Sequence, residues 1–594
     1  MDYKKPPFEY ISKQSRLTEV VNAELAKQSI LAVDVESDGL DPHTLKLLLV
    51  QIGIPGQAFV INAKLDLAPL KTLLENPEIL KLVQNGKFDY SALKVTRSIE
   101  MRNMYDTMLS ERLLTVGMER ENSLLSLAAK YTGVQLDKDW ESLNWYAAAK
   151  SGKFSEAQLR YAAVDVVILF PIYAKQKEGL AKEKLETVAK LEFNLMPVVA
   201  EIEIKGSKID VNKWRENLAV LSQRRDEIAR QIQEELRPYF VVKQMGLFGQ
   251  NTDVLNLNSP MQVMEAFRKL GIDIPSTGEA ILAKVDHPVA KLLLKYRENE
   301  KLLTAFGENL LEKIHPKTGR IHPDFQQIGA DTGRFACSNP NLQQIPTDSA
   351  FRSCFIPEPG YKFIVGDYSQ IELRIMAELS QDPVFLNAFR NNDDLHTLTA
   401  SQMYNIPREQ VDKKMRFNAK SINFGLMYGR GANSLSIQLG VSFEEAEKLL
   451  AKYFATYKKV KSWLDKVGRE AVRKGYSTTL SGRKRWYRES DPGDPGYLRA
   501  VSHIERQGKN TPIQGTSADM TKFALVGIYN ALKDGKYDAF PIHTVHDEIV
   551  VEVREDQAEE VKEIVEREMV KSGQMLLKSV PVLAEVKVSN VWEH

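Results

Sequence analysis

Two carboxylates in the second half of the chain have the setting of a metal-dependent active site. Asp367 stands at the end of a predicted strand, after the apolar residues 363–365, and a helical pattern of apolar residues follows it. Asp547 lies at the tip of a predicted hairpin over residues 541–553, where it serves no hydrophobic core. Because an aspartate before a helix is also a common N-cap, Asp367 alone leaves that alternative open.

Two carboxylates that are brought together repel each other unless a cation lies between them. Oxygen ligands with few histidines or cysteines nearby favour Mg²⁺ or Mn²⁺. Two such ions, about 3.5–4 Å apart, can stabilise the attacking and leaving oxygens of a phosphoryl transfer. Asp367 and Asp547 therefore predict two-metal phosphoryl-transfer chemistry.

A second group of acidic residues lies near the start of the chain. Asp34 and Glu36 stand at the end of the apolar run 30–35, and being two residues apart on a predicted strand they point to the same face. Further strand-like runs at Leu47–Ile54 and 58–61 predict that this strand belongs to a sheet. A solvated strand end is the alternative interpretation of the acidic pair.

Three more residues of this region have spacings that fit a shared site. Asp89 ends the sequence Asn85-Gly-Lys-Phe-Asp, just before a helical pattern. Tyr161 and Asp165 are four residues apart, so they share one face of a predicted helix. A tyrosine and an aspartate at that spacing also occur in ordinary packing, so the pair gains weight only together with the other carboxylates.

A predicted helix over residues 413–428 carries two cations and two aromatic residues at four-residue spacing. Arg416, Lys420, Phe424 and Tyr428 therefore form one slightly spiralling stripe. Cations suit a triphosphate, and aromatic rings suit a base or a sugar. The alternative is a solvated basic turn that runs into a buried aromatic turn.

Composition bounds the class of protein only broadly. A chain of 594 residues is too long for one core, so we expect several domains. The net charge of +1, from 80 basic and 79 acidic residues, neither indicates nor excludes a polyanionic partner. The two cysteines, Cys337 and Cys354, predict reduced thiols. The N-terminus lacks an apolar signal core, and no run of about 18 apolar residues predicts a membrane-spanning helix.

The N-terminal residues resemble the three motifs of the proofreading 3′→5′ exonuclease family: Asp34-x-Glu36, Asn85-x-x-Phe88-Asp89 and Tyr161-x-x-x-Asp165. The resemblance implies an RNase H-like sheet. It also implies that Asp34, Glu36, Asp89 and Asp165 hold two divalent ions and that Tyr161 orients the attacking water.

The rest of the chain is similar to family A DNA polymerases, the relatives of bacterial DNA polymerase I. The motifs are Thr332-Gly333-Arg334, Asp367-Tyr368-Ser369-Gln370-x-Glu372-Leu373-Arg374, Arg416-x-x-x-Lys420-x-x-x-Phe424-Gly425-x-x-Tyr428-Gly429 and His546-Asp547-Glu548. The resemblance covers nearly the whole chain and implies an exonuclease and a polymerase domain without the family's 5′ nuclease domain. Cys337, Gln344 and a turn over residues 489–497 depart from the family pattern.

The resemblance also implies residue roles in the polymerase site. Asp367, Asp547 and the carbonyl of Tyr368 would hold two ions, Mg²⁺ or Mn²⁺, with Glu548 nearby, and Lys420 would protonate the pyrophosphate. The other residues expected to contact the nucleotide are Arg416, Phe424, Tyr428, Glu372, Gln370 and His396, with Glu372 excluding ribonucleotides. Those expected to contact DNA are Arg334, Asn510, Gln514, His546, Arg483 and Arg506.

We therefore predict an α/β multi-domain protein, with an RNase H-like exonuclease domain over residues 1–190 and a right-hand polymerase domain over residues 191–594. The thumb would span about 197–310, the palm about 311–371 and 515–594, and the fingers about 372–514. The expected partners are primer-template DNA and deoxynucleoside triphosphates. We expect a monomer in the cytoplasm of a bacterial or phage-infected cell, although an organelle origin also fits.

Three alternatives compete with this interpretation. A single-subunit RNA polymerase shares the palm carboxylates, but the attached exonuclease motifs and Glu372 favour DNA synthesis. A DNA-binding scaffold without activity would have lost a carboxylate, whereas the four exonuclease and two palm carboxylates are all present. An enzyme used chiefly as a nuclease would not need the intact stripe from Arg416 to Tyr428.

Overall fold

The structure is a computed structural model that describes residues 3–118, 121–136, 143–239, 255–346, 350–427, 429, 431–488 and 491–593. Its N-terminal domain is built on a mixed sheet in the order β1-β4-β3-β2-β5-β6, in which β3 is antiparallel to both neighbours and the other pairs are parallel. The strands are β1 (Phe8–Ile11), β2 (Ile30–Ser37), β3 (Leu47–Ile54), β4 (Gln57–Asn62), β5 (Leu80–Val83) and β6 (Met104–Asp106).

The sheet forms because its central strands are apolar on both faces. All residues of β3 except the last are buried, as are the four inner residues of β4. The strands predicted from sequence are confirmed, and β2 extends to Ser37, so that Asp34 and Glu36 both lie within it.

Helices cover the sheet on both sides. They are α1 (Gln14–Ala23), α2 (Ala68–Leu74), α3 (Lys87–Arg97), α4 (Thr107–Thr115), α5 (Leu124–Thr132), α6 (Trp145–Ser151), α7 (Glu156–Val167), α8 (Leu169–Lys182) and α9 (Glu186–Lys205). Helix α7 lies across β2, β3 and β4, and Ser155 begins it with a capping box that involves Gln158.

One helical stretch, Glu156–Lys182, is long and apolar enough to cross a membrane by length and composition, where the sequence had predicted none. Half of its apolar window is buried inside the protein. Core helices of globular domains pass the same test, and this stretch packs on the N-terminal sheet.

The C-terminal domain begins with a helical region. It contains α10 (Val211–Leu236), α11 (Pro260–Lys269), α12 (Glu279–Leu282), α13 (Pro288–Phe306) and α14 (Glu308–Leu311). Helices α10 and α13 pack against each other around Ile232, Leu236 and Leu293, which are fully buried. Asp210 caps α10 by accepting a hydrogen bond from Lys213 N at 3.0 Å.

An antiparallel sheet in the order β12-β13-β9-β14 forms the base of this domain. Its strands are β9 (Tyr361–Tyr368), β12 (Ala539–Val545), β13 (Glu548–Arg554) and β14 (Ala584–Ser589). The small strands β7 (Asp324–Gln326) and β8 (Ala336–Ser338) form a separate antiparallel pair. The long helix α22 (Tyr497–Asp534) packs on α23 (Ala558–Leu576), which covers β9.

A second helical region stands above this sheet. It comprises α15 (Ile371–Ser380), α16 (Pro383–Arg390), α17 (Leu395–Tyr404), α18 (Lys413–Met427), α19 (Ala432–Leu439), α20 (Phe443–Thr456), α21 (Lys458–Lys474) and the hairpin β10 (Tyr476–Thr478)–β11 (Lys484–Trp486). The predicted helix 413–428 is confirmed as far as Met427.

The two domains share helix α9, which runs without interruption across the predicted boundary at residue 190. Pro197 lies inside this helix. On one side α9 packs against α3 of the N-terminal domain, and on the other against α22 and β12. The chain therefore has no flexible linker within residues 186–205.

A buried histidine of the C-terminal sheet makes stability depend on pH. His543 on β12 is 3% exposed, lies between the rings of Phe325 and Trp592, and forms no hydrogen bond through either ring nitrogen with any described residue. Burial, with a contribution from the charge of Arg352, lowers the pKa of His543 to about 3. The folded protein therefore keeps His543 neutral where the unfolded chain would protonate it.

We expect His543→Phe to reduce the acid sensitivity of the fold. Because the folded pKa lies below the unfolded one, His543 makes the protein lose stability as the pH falls below about 6.5, by up to about 1.4 kcal/mol per pH unit. The melting temperature, measured from pH 7 to pH 4, should fall less steeply in the variant. Equal slopes for the variant and the wild type would contradict this.

Candidate active sites

The structure brings the N-terminal carboxylates together at one end of β2. Carboxylate oxygens of Asp34, Glu36 and Asp165 all lie within 4.8 Å of one another. Asp89, near the start of α3, is tied to the same strand because its Oδ1 accepts a hydrogen bond from Val35 N at 3.1 Å. The four acidic residues predicted from the motifs therefore form one cluster.

The electrostatics of this cluster call for a cation. Burial raises the pKa of Asp34 to about 7, and it raises the pKa values of Asp89 and Asp165 well above their usual range, with the charge of Asp34 adding to both. Burial and the charges of Asp34, Asp165 and Asp89 raise the pKa of Glu36 in the same way. Four carboxylates in this setting repel one another, and a set of oxygen donors suits hard divalent ions.

Tyr161 lies where the predicted helix face puts it, one turn before Asp165 on α7. Its hydroxyl forms a hydrogen bond with the Asp165 carboxylate, and the charge of Asp165, together with burial, raises its pKa. Trp145 on α6 packs near the ring, with the ring centroids 6.3 Å apart. Tyr161 is therefore held as a neutral hydroxyl at the edge of the carboxylate cluster.

The second site lies at the ends of β9 and β13. The register pairs Ile549 with Gly366, which brings the hairpin tip with Asp547 to the end of β9, where Asp367 stands. Asp367 is not a helix cap, because it lies within β9 and the N-cap residue of α15 is Gln370. The predicted hairpin and the predicted meeting of the two carboxylates are both present in the fold.

These two carboxylates also repel each other. Burial raises the pKa of Asp547 to about 7, and the charge of Asp367 adds to the rise. Burial likewise raises the pKa of Asp367 to about 7, with the charge of Glu548 as the next cause. The palm site therefore has the same electrostatic character as the N-terminal one, with oxygen donors that fit a divalent cation.

Glu548 is held by groups that the sequence did not reveal. Arg352 Nη1 donates to its two carboxylate oxygens at 3.3 and 3.1 Å, and Trp592 Nε1 donates to Oε1 at 2.6 Å. The Arg352 guanidinium also lies over the Trp592 ring, 4.2 Å from its centroid. Arg352 and Trp592 are separated from Glu548 by 196 and 44 residues, so no local pattern could have found them.

Glu372, on the first turn of α15, pairs with Arg334 across the site. Arg334 Nη2 donates to Glu372 Oε1 at 2.5 Å, and Glu372 is 8% exposed. The charges of Glu372 and Arg334 act on the pKa of Asp547 in opposite directions, which places the pair beside the carboxylates. The Glu372–Arg334 ion pair therefore lies close to Asp547.

Helix α18 presents its cations to solvent above the palm. Arg416 pairs with Asp394, its Nε donating to Oδ2 at 2.7 Å, and Lys420 is exposed one turn further on. The ring of His396 lies 5.7 Å from that of Phe424, and Asn423 contacts His396 Nδ1 at 3.0 Å. Asp394 is a further residue that the sequence did not single out.

The stripe continues beyond the described part of this helix. Tyr428 lies outside the described residues, as do Glu489 and Ser490 of the predicted inserted turn. Gly429 follows with a positive φ of 68°, and a Cβ there would lie 3.3 Å from Arg506 Cβ and Cγ. Arg506 on α22 therefore lies close to Gly429.

Within the described part of the chain, two side chains predicted to contact the nucleotide or DNA have a buried polar atom without a partner. Asn510 Oδ1 and Gln370 Oε1 are buried and accept no hydrogen bond from the described residues. Gln514, one turn after Asn510 on α22, is 7% exposed. His546 is exposed at the hairpin tip, with a φ of +56°.

The structure corrects the expectation for Arg483. Its side chain is 2% exposed, and its guanidinium pairs with Glu192 and with Asp519. Nε donates to Asp519 Oδ1 at 2.8 Å. Arg483 therefore lies in the interior between the two domains, where it cannot contact DNA.

The fold and the two carboxylate sites define a polymerase with a separate nuclease domain, and comparisons with known proteins agree. The sequence model of DNA polymerase family A matches residues 223–594, and that of a 3′-5′ exonuclease matches residues 8–180. A solved structure, the POL domain of Pol1 from M. smegmatis in complex with DNA primer-template and dNTP, matches with a TM-score of 0.84 and 25% identity, over 98% of this chain and 99% of that one.

Two bacterial relatives match along nearly the whole chain. DNA polymerase I of Pseudomonas aeruginosa is 34% identical over 96% of this chain and 64% of its own length. DNA polymerase I of Aquifex aeolicus is 32% identical over 98% of this chain and 99% of its own length. The chain belongs to DNA polymerase family A and carries a 3′-5′ exonuclease domain.

Template-directed DNA synthesis with 3′-5′ editing is the activity of this class, so the predicted family, fold class and enzyme class are confirmed. The match to this family argues against the alternative of a single-subunit RNA polymerase. Both domain families use divalent metal ions, in agreement with the carboxylate cluster.

We expect divalent ions to stabilise the N-terminal domain through Asp34. Because its folded pKa of about 7 lies above the ordinary value of 3.8, Asp34 costs stability as the pH rises from about 4 to 7 unless a cation is bound. At pH 8, Mn²⁺ at a hundredfold excess over its Kd should stabilise the wild type by about 2.7 kcal/mol, or roughly 5–10 °C.

Asp34→Asn should gain distinctly less from Mn²⁺ in the same thermal-shift measurement, and Glu78→Gln, an exposed change in the same domain, should gain as much as the wild type. Equal gains for Asp34→Asn and Glu78→Gln would argue against a metal at this cluster.

Proposed function

We propose that the C-terminal site adds deoxynucleotides to a DNA primer as a template directs, and that the N-terminal site removes a mispaired 3′ nucleotide. The register of β9 and β13 carries this proposal, because it brings Asp547 to Asp367 in a fold that matches a polymerase solved with primer-template and dNTP. The carboxylates around Asp34 form a second site on a different sheet.

In the polymerase site, Asp367, Asp547 and the carbonyl oxygen of Tyr368 would hold two Mg²⁺ or Mn²⁺ ions. These ions would neutralise the charge of the transferring phosphate and activate the primer hydroxyl. The 3′ hydroxyl attacks the α-phosphate and pyrophosphate leaves. Lys420 then donates a proton to the departing pyrophosphate, and Glu548, held by Arg352, stays beside the metal ligands.

Binding of the triphosphate would replace Asp394 by a phosphate group as the partner of Arg416. Arg416 and Asp394 are 47% and 39% exposed, and an ion pair of that kind stabilises by only about 0–1 kcal/mol. A triphosphate can therefore replace Asp394 at little cost. Phe424 and His396 would contact the sugar and base, and Tyr428 would lie at the templating position.

The proposed contacts to DNA come from residues on both sides of the polymerase site. Arg334, Asn510 and Gln514 would read minor-groove acceptors of the primer-template, and His546 would lie at the primer terminus. Arg506 and Gln370 are further contacts. The unpaired buried oxygens of Asn510 and Gln370 support this, because a bound ligand would give them hydrogen-bond donors.

In the exonuclease site, Asp34, Glu36, Asp89 and Asp165 would hold two divalent ions that activate a water and stabilise the departing 3′ oxygen. Tyr161 orients that water. Its hydroxyl is already held by Asp165, and the hydroxyl oxygen of a neutral phenol can accept a hydrogen bond from that water.

We assign residues 1–190 to the exonuclease domain and residues 191–594 to the polymerase domain, with α9 as their shared element. Within the latter, we assign the thumb to about 197–310, the palm to about 311–371 and 515–594, and the fingers to about 372–514. We also propose that the protein acts as a monomer in the cytoplasm of a bacterial cell, a setting supported only by the bacterial origin of its relatives.

Two separate active sites predict opposite losses in two variants. With a labelled primer-template and Mg²⁺, Asp367→Ala should lower extension roughly a thousandfold or more, because one metal ligand is lost, and should still shorten the primer. Asp34→Ala should still extend the primer and should no longer shorten it. If either variant lost both activities while remaining folded, the assignment of separate sites would fail.

Glu372 should exclude ribonucleotides. Removing its buried side chain opens space beside the sugar, so Glu372→Ala should raise ribonucleotide relative to deoxynucleotide incorporation by roughly 10- to 100-fold. Glu372→Gln keeps the bulk and should retain most of the selectivity. Glu378→Ala, on the same helix, should match the wild type in single-nucleotide kcat/KM. Unchanged sugar selectivity in Glu372→Ala would refute this role.

A further inference from the structure

Four buried charges meet where α9, α22 and the β10–β11 hairpin come together. Arg483 Nε donates to Asp519 Oδ1 at 2.8 Å, and its guanidinium also pairs with Glu192. Lys522 Nζ donates to Glu192 Oε1 at 2.5 Å. None of the four side chains is more than 2% exposed, and the two cations balance the two anions.

The cluster fixes the beginning of the loop that leads to Arg334. Gln327 Nε2 donates to both the backbone oxygen and Oε2 of Glu192, each at 3.0 Å. Lys522 Nζ donates to the backbone oxygen of Gln327 at 2.8 Å. Residue 327 is thus held through its side chain and its main chain by two members of the cluster.

The far end of the loop rests on Arg483 itself. Gly333 has a φ of +87°, and a Cβ there would lie 2.7 Å from both Cδ and Nε of Arg483. The backbone N–H groups of Gly329 and Ala330 both donate to the carbonyl of Arg334 at 3.1 Å, which closes the loop. The position of Arg334 therefore depends on the position of the Arg483 side chain.

The hairpin that carries Arg483 is anchored on both domains. Trp486 N donates to Val116 O of the N-terminal domain at 2.9 Å. Arg485 Nη2 donates to Asp331 Oδ2, within the same loop, at 2.7 Å. Because the hairpin contacts both the N-terminal domain and the loop over residues 327–334, it fixes the position of this loop relative to the N-terminal domain.

We propose that Arg483 is a positioning residue of the polymerase site, which holds the loop over residues 327–334 so that Arg334 faces the primer terminus. This role rests on the proposed contact of Arg334 with the primer. Glu192 and Asp519 hold Arg483 in place, and Arg483 in turn supports Gly333, the neighbour of Arg334. Arg483 itself touches neither DNA nor nucleotide.

The variant Arg483→Lys tests this role. It keeps the buried charge but loses the fork that reaches both Asp519 and Glu192. We expect kcat/KM for extension of a matched primer to fall by about 10- to 100-fold, since small displacements of binding groups have effects of that size. Degradation of a single-stranded oligonucleotide should change less than about twofold. An unchanged kcat/KM for extension would overturn the proposal.

A matched control comes from the same hairpin. Lys484 pairs with Glu183 of the N-terminal domain at 2.8 Å and, among the described residues, forms no hydrogen bond or ion pair with the loop over residues 327–334, so Lys484→Ala should extend primers like the wild type. If Lys484→Ala lost as much extension as Arg483→Lys, the effect would belong to the hairpin in general, and the specific role of Arg483 would be refuted.

A double-mutant cycle with Arg334→Ala separates positioning from general damage. If Arg483 acts through Arg334, then Arg483→Lys should lower extension in the wild-type background and have almost no further effect in Arg334→Ala. Equal effects in both backgrounds would overturn the proposal. Normal extension by Arg334→Ala alone would instead refute the proposed function of Arg334, which is a distinguishable outcome.

A second variant tests the proposal if Arg483→Lys does not fold. If Arg483→Lys loses the degradation of single-stranded oligonucleotides, this would show that it is misfolded. Gly333→Ala leaves all four buried charges in place and forces the loop away from Arg483, since its Cβ would collide there. It should reproduce the loss of extension and the non-additivity with Arg334→Ala. Wild-type extension by Gly333→Ala would overturn the proposal.

Discussion

The antiparallel pairing of β13 with β9 is the constraint on which the polymerase site depends. One register, with Ile549 opposite Gly366, carries the hairpin tip to the end of β9 and so brings Asp547 to Asp367. A slip of one residue would turn every side chain of β13 to the other face of the sheet. The buried ion pair of Glu552 with Arg320 opposes such a slip, because the slip would turn Glu552 away from its partner and leave a buried charge unpaired. This register thereby fixes the position of two groups that repel each other.

That repulsion is tolerated because the surrounding charges are paired. Glu548 would add a third negative charge to the palm, but Arg352 and Trp592 hold it by three hydrogen bonds. Removing one member of a buried pair generally costs about 3–5 kcal/mol, since a bare charge is left behind. The site therefore concentrates its unbalanced charge on the two residues that can bind cations.

Local patterns in the sequence were sufficient to predict which candidate site residues share a face of a strand or helix. Asp34 and Glu36 share a face because a strand has a period of two, and Tyr161 and Asp165 share one because a helix has a period near four. The hairpin with Asp547 could also be predicted, since its two apolar runs flank a short polar tip. Each of these inferences concerns residues within a few positions of one another.

Contacts between distant segments could not be predicted in this way. Arg483 lies 291 residues from Glu192, so its burial depends on how two domains dock, and the family resemblance implied a DNA contact that the buried side chain cannot make. The continuity of α9 through residue 190 could not be predicted for a similar reason. Pro197 usually ends a helix, yet packing of α9 against both α3 and α22 keeps that helix continuous.

Arg416 and Arg483 of the polymerase domain differ in how strongly their surroundings hold the guanidinium group. Arg416 is half exposed, and its pair with Asp394 is worth no more than about 1 kcal/mol, so the residue is free to exchange a carboxylate for a phosphate. Arg483 is buried among two carboxylates, and loss of either would leave its charge without compensation. Solvent exposure thus decides which cation can bind and release a substrate in each catalytic cycle. Burial decides which one can hold a loop in place through every cycle of synthesis.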